Sequence, residues 1–99
     1  MSLEKSELWW LYIVQTKYGH WYTGVSNNVA KRLQAHEQGK GAKNLKGKGP
    51  LTLVFTMPVG TRSDACKLEI EVKKRSRAGK EKFIHEHENH RSELLATPQ

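Results

Sequence analysis

Residues 10–26 read WLYIVQTKYGHWYTGVS, two aromatic, apolar runs joined by a short turn that carries Gly19. The run from Leu8 to Val14 is continuous, short and rich in β-formers, which predicts a strand buried on both faces. Thr16-Lys17-Tyr18-Gly19 supplies a turn in which only glycine adopts positive φ at no steric cost. His20 to Val25 returns as a second strand, so the chain is committed early to a hairpin. Alternate residues of a strand share a face, and a turn of odd length would put Tyr12 and Tyr22 on the same one, the register itself being left open by the sequence. Taken alone, two strand tyrosines are packing residues with a hydroxyl at the rim.

Downstream, Ser26-Asn27-Asn28 is a run of helix-capping residues, and Val29, Leu33 and His36 follow at i, i+4, i+7. That stripe predicts a helix to about Gln38, ended by Gly39. Residues 39–50, GKGAKNLKGKGP, hold four lysines and four glycines and read as a mobile basic loop closed by Pro50. Leu51 to Thr56 alternates as a third strand, stopped by Pro58 and Gly60. Thr61 or Ser63 then caps a second helix with Ala65, Leu68 and Val72 inward. A third helix runs from Arg77 to around His90 with Phe83 and Ile84 inward, and ATPQ frays. The expected order is β-β-α-β-α-α, an α/β fold with a small three-stranded sheet flanked by helices. At 99 residues the chain is expected to be a single domain, 1–99.

No apolar run reaches membrane-spanning length, and the N-terminal MSLEKSELWW lacks the apolar stretch of a signal peptide. With Cys66 alone there is no internal disulfide, so a reducing cytoplasm is the expected compartment. The net charge is +7 and unevenly spread: residues 27–50 carry six Lys/Arg against Glu37, and residues 61–83 carry eight against four acids. The tail from 84 reverses the sign, with Glu86, Glu88 and Glu93 against Arg91. A basic centre of this kind points first to a polyanion, and among polyanions to nucleic acid.

Four segments together narrow the reading: WLY at 10–12, YTG at 22–24, VAKRLQAH at 29–36 and KLEIEVKK at 67–74. In this order they resemble the signature of the GIY-YIG endonucleases over roughly residues 8–84, with Trp10-Leu11 standing where the signature has Gly-Ile. The GKGAK loop is similar to that of the small stand-alone bacterial branch. The resemblance implies the GIY-YIG nuclease fold and a metal-dependent endonuclease that cuts or nicks nucleic acid, DNA expected, with little sequence specificity. It implies catalytic roles for Tyr12, Tyr22, Arg32, His36 and Glu69, with Glu69 as ligand to Mg²⁺ or Mn²⁺ and no small-molecule cofactor. Without an appended targeting domain, specificity is expected from substrate shape or a protein partner.

The residue chemistry is compatible with that reading. A phenol ionises near pH 10, so Tyr12 or Tyr22 could serve as base only where nearby cations favour phenolate. Arg32 offers a planar fork for phosphate oxygens, and His36, one turn on, could relay a proton. Mg²⁺ keeps most of its waters, so one glutamate can suffice. Gly24 would let the backbone approach substrate, and Lys40, Lys43, Lys46 and Lys48 would grip phosphates without reading bases. Each has a plainer alternative: a solvated Arg32, a satisfied core histidine at 36, and a routine Glu69–Lys73 surface pair. Glu71, expected to pair with Arg75 at i+4, is taken as the structural glutamate. Trp9, Trp10 and Trp21 are read as packing, and the HEHENH run at 85–90 as a solvated helix end rather than a metal site. The runner-up function is a non-catalytic nucleic-acid-binding module of the same fold; a structural ribonucleoprotein component ranks last.

The six-to-one charge ratio over residues 27–50 makes the expected affinity electrostatic. Neutralising the four loop lysines should flatten the slope of log K against log salt by roughly one unit for each phosphate they had neutralised. An unchanged slope would show that the loop does not touch the nucleic-acid backbone.

Overall fold

The computed structural model describes residues 8–40 and 45–96, with side chains as far as Glu88. The elements follow the expected order: β1 (Trp9–Gln15), β2 (Trp21–Ser26), α1 (Val29–Glu37), β3 (Thr52–Gly60), α2 (Arg62–Lys73) and α3 (Arg77–Ala96). The sheet order is β2-β1-β3 with both pairings antiparallel. β1 is therefore central, which explains why its sequence is apolar throughout rather than alternating. Leu11, Tyr12, Ile13 and Val14 are all buried.

The two faces of the sheet carry different cores. Leu11, Ile13 and Phe55 meet Val72 of α2 and Phe83 and Ile84 of α3 on one side. Tyr12, Val14 and Leu45 form the other, with Tyr22, Val29, Leu33 and Leu51 packed around them. The first face is the larger apolar layer; the second contains the phenols.

The hairpin tip is held by several independent bonds. Gly19 has φ 85°, the left-handed region that a side chain disfavours. Thr16 N donates to His20 O at 2.8 Å, and Gly19 N to Thr16 O at 2.9 Å. The Thr16 hydroxyl accepts from the amides of Tyr18 and His20. From α3, Arg77 lays its guanidinium 3.8 Å from the centre of the Trp21 ring and donates to Gly19 O at 3.0 Å.

Three expectations need correction. β3 does not stop before Pro58; it continues to Gly60, with register slips past Val54 and Val59. As an edge strand it turns half its amides away from the sheet, where a proline removes no ladder bond. α3 extends beyond His90 to Ala96. The basic segment after α1 is not a free loop where it is described. Leu45 is buried in the Tyr12 layer, Lys48 O accepts from Lys17 N at 3.0 Å, and Leu51 N donates to Glu37. One apolar residue among lysines and glycines was enough to anchor the segment. Caps fall as anticipated, with Asn28 accepting from Lys31 N and Thr61 from Asp64 N.

Leu45→Ala should therefore cost about 2–3 kcal/mol in urea unfolding, the lower range for a buried leucine, while Lys46→Ala should stay within about 0.5 kcal/mol. Equal, small losses would show that the loop is not anchored through Leu45.

Candidate active site

The register pairs Tyr12 with Gly24 and Val14 with Tyr22, so both phenols project from the α1 side of the sheet. Their ring centres lie 6.5 Å apart. Gly24 is what lets them sit so. A Cβ there would stand 2.5 Å from the Tyr12 hydroxyl oxygen and 2.7 Å from the carbon bearing it. The place that a side chain would occupy over Gly24 is filled by the Tyr12 phenol, a more immediate demand on this residue than close approach of a substrate.

His36 arrives from the last turn of α1. Its position in the helical stripe with Val29 and Leu33 drives it inward, where it is only 3 % exposed. The Tyr12 hydroxyl and His36 Nε2 are 2.9 Å apart in a buried hydrogen bond spanning 24 residues. The Tyr22 ring meets the imidazole edge-on at 5.8 Å between centres. Thus the two tyrosines and the histidine form one aromatic triangle.

Burial sets the protonation states. Desolvation pushes the Tyr12 phenol up to about 12, reinforced by Tyr22 and Glu69; the hydrogen-bonding Arg32 guanidinium pulls the other way without prevailing. Desolvation, then the Arg32 charge, push His36 below its ordinary value. At neutral pH the pair is therefore a neutral phenol facing a neutral imidazole. The condition that cations favour a phenolate is not met for Tyr12, because loss of water outweighs one exposed guanidinium. With the imidazole proton on Nδ1, the phenol donates and Nε2 accepts.

Arg32 sits one turn before His36 on α1 and is exposed, so its charge is available at the rim of the triangle. Glu69, on α2, lies near enough to act electrostatically on Tyr12. Its side chain is 19 % exposed and its Oε2 is 3.1 Å from Lys73 Nζ. That same ammonium stands over the Tyr22 ring, 5.7 Å from its centre. Lys73 is thus the residue that sequence reasoning passed over as half of a surface pair. The i, i+4 spacing announced the contact with Glu69 but not the one with the tyrosine, which depends on how α2 docks at the edge of β2.

The remaining sequence candidates are more dispersed. Lys40 and Lys46 are exposed and Lys48 is half-buried; Lys43 lies outside the described residues. Between the end of α1 and this segment a cleft of about 490 Å³ opens beside His36, lined also by Gly39, Leu45, Gly47 and Pro50. Glu71 is exposed and, among the described residues, makes no ion pair. The expected partner Arg75 lies over the Phe83 ring at 5.3 Å instead. His87 is not simply solvated, since its Nδ1–H donates to Phe83 O at 2.8 Å and its ring lies 4.2 Å from that of Phe83.

Among the described residues no three His, Cys, Asp or Glu side chains converge as a metal cage. The donor set at the site is the single Glu69 carboxylate with one oxygen on Lys73. That suits a hard divalent cation that keeps its waters and completes its shell on a substrate phosphate, and does not suit a fully protein-ligated ion. Among the described residues no helix is long and apolar enough to cross a membrane.

The family model of the GIY-YIG catalytic domain matches residues 8–83. A UPF0213 protein of Sodalis glossinidius is 52 % identical over 79 residues, covering 80 % of this chain and 74 % of that protein. One of Photorhabdus laumondii is 50 % identical over 76 residues, covering 77 % and 73 %. The solution structure of a UPF0213 protein of Bacillus halodurans superposes with a TM-score of 0.52 at 40 % identity, covering 79 % and 83 %. With the β-β-α-β-α-α order and the tyrosine pair in place, the chain belongs to the GIY-YIG family, among its small UPF0213 members.

Proposed function

We propose that this protein is a metal-dependent endonuclease that hydrolyses nucleic-acid phosphodiester bonds, DNA foremost, with little dependence on base sequence. The supporting observation is the buried Tyr12–His36 hydrogen bond beside Arg32 and Glu69. A neutral phenol is a poor base on its own. Joined to an imidazole whose pKa is depressed, it can take a proton from water while passing its own to Nε2, and no free phenolate is formed. The water oxygen then attacks phosphorus, and the bond to the leaving oxygen breaks. Arg32 steadies the charge that builds on the non-bridging oxygens. Tyr22, edge-on to His36, holds the imidazole plane and presents its hydroxyl at the rim. Glu69 would hold the divalent cation, which when bound supplies charge neutralisation at the phosphate and leaving oxygen.

Lys73 neutralises Glu69 in the meantime and keeps a carboxylate from standing alone beside two phenols. The lysines at 40, 46 and 48, with Lys43, add sequence-independent attraction for the phosphate backbone. A non-catalytic binder of the same fold would need the charge but has no use for a carboxylate set against the tyrosine pair.

Glu69→Gln should abolish metal-dependent cleavage with folding and nucleic-acid binding nearly intact, and Glu71→Gln should leave turnover close to wild type. Equal losses, or activity surviving in Glu69→Gln, would contradict the assignment. Tyr12→Phe and Tyr22→Phe should each lower the cleavage rate by roughly 10²-fold or more. The Tyr12 change should also cost about 1 kcal/mol of stability, since it leaves a buried imidazole nitrogen without its donor. Rates near wild type in both would return the phenols to packing.

The pH profile follows from the two shifts. Protonating His36 removes the acceptor, so the rate should fall as pH drops through the depressed His36 pKa, below the ordinary histidine range. Since Tyr12 ionises only at about 12, the profile measured by initial rates should be level through pH 9. An acid limb centred above 7, or a rise between pH 8 and 9, would overturn the relay.

A further inference from the structure

The most exposed of the large apolar side chains described is Tyr18, at 61 %. It sits on a heavily restrained turn. Its own amide and that of His20 are held by the Thr16 hydroxyl, Gly19 is bonded on both its N–H and its C=O, and Lys17 N is tied to Lys48 O. A turn fixed so thoroughly, yet displaying its aromatic side chain to water, is an effective platform because little backbone order remains to be lost on binding. The charges around it are mostly positive, with Glu81 paired to Arg77 at 3.3 Å. Lys17 Nζ stands 5.3 Å from the centre of the Tyr18 ring, Arg77 reaches the turn from α3, and Lys48 borders it through the Lys17 bond. His20 completes the tip and is exposed.

The tip is continuous with the candidate active site along the β2 edge. Arg77 lies on Trp21, and Lys73, four residues earlier in the sequence, lies over the neighbouring Tyr22. From Tyr18 to Tyr22 the backbone spans at most about 14 Å, roughly four nucleotides at stacked spacing. Aromatic rings flanked by cations in this way recognise the π-face of a base without reading its identity, and a base offers that face only where it is unpaired.

We propose that Tyr18, flanked by Lys17, Lys48 and Arg77, is a stacking platform for an unpaired base a few nucleotides from the cleaved phosphate, so that the preferred substrate carries a single-stranded segment beside the cut. The proposal rests on the nuclease reading and adds the substrate class. Lys17 covers one face of the ring and keeps it from collapsing onto the protein, leaving the other face for the base. Arg77 meanwhile locks the turn from α3, its guanidinium shared between Gly19 O, the Trp21 ring and Glu81. A protein partner docking on this tip is disfavoured by its excess of positive charge, which the single Glu81 carboxylate on Arg77 does not cancel.

The test compares blunt duplex DNA with the same duplex bearing a six-nucleotide overhang, by fluorescence anisotropy over a series of salt concentrations without divalent metal. The wild type should bind the overhang substrate about tenfold more tightly, within the range that one base–aromatic stack supplies. Tyr18→Ala should collapse that ratio toward one, and Tyr18→Phe and Tyr18→Trp should retain it. Lys17→Met, which removes the charge and keeps the stem, should lower affinity for both substrates and flatten their salt dependence. A wild-type ratio near one, or a ratio unmoved by Tyr18→Ala, would overturn the platform while leaving the nuclease reading intact. Failure to bind either substrate at any salt concentration would instead overturn the nuclease reading, and the platform with it.

Discussion

The site is arranged around the hydrogen bond between the Tyr12 hydroxyl and His36 Nε2. It joins the central strand to the first helix inside an apolar layer, at 2.9 Å. A polar pair in such a place is tolerated because its members are hydrogen-bonded, to each other and, for Tyr12, to Arg32. Its geometry imposes conditions elsewhere. Residue 24 must lack a side chain, or the phenol has nowhere to lie. α1 must start at Asn28, so that the eighth residue beyond, His36, faces the sheet. Leu45 must fold back under the ring to exclude water from its other side. Three separated segments of sequence are thus constrained by one bond, and the same desolvation that makes the bond costly to lose sets the protonation states that make it useful.

Charge is organised around this neutral centre rather than within it. Arg32 acts on Tyr12 from α1, and Glu69, paired with Lys73, acts on it from α2. The arrangement separates two tasks. Long-range attraction of a polyanion is left to exposed lysines, where it is diffuse and screened by salt. In the proposed function, short-range work on one phosphate falls to the Arg32 guanidinium and to the Glu69 carboxylate, whose exposure is reduced by packing. The Glu69 charge is balanced by Lys73, 3.1 Å away.

Much of this was legible in the residues themselves. The continuous apolar character of Leu11–Val14 announced a central strand, the Asn28 cap and the Val29–Leu33–His36 stripe fixed which way α1 faces, and the odd-length turn put the phenols on one face. Other features could not be read locally. What satisfies the buried His36 could not be read from its stripe, since its partner Tyr12 lies 24 residues away. The apolar anchor of the basic loop was Leu45, hidden among glycines and lysines whose pattern reads as free. Lys73 and Arg77 gained their meaning from how α2 and α3 meet the β2 edge, a docking that helical periodicity does not specify. Arg75 illustrates the same limit in reverse: its spacing favoured Glu71, and an aromatic ring on α3 took it instead.

All of this turns on a neutral phenol donating to a neutral imidazole. The ¹⁵N chemical shifts of both His36 ring nitrogens, followed by NMR from pH 5 to pH 8, report on that state without an intermediary. A protonated Nδ1 and a bare, hydrogen-bond-accepting Nε2 are expected at pH 7, with the ring remaining neutral below the ordinary histidine pKa. Tyr12→Phe should move the Nε2 shift and leave Nδ1 nearly in place. An Nε2-protonated ring, or an imidazolium at pH 7, would refute the relay.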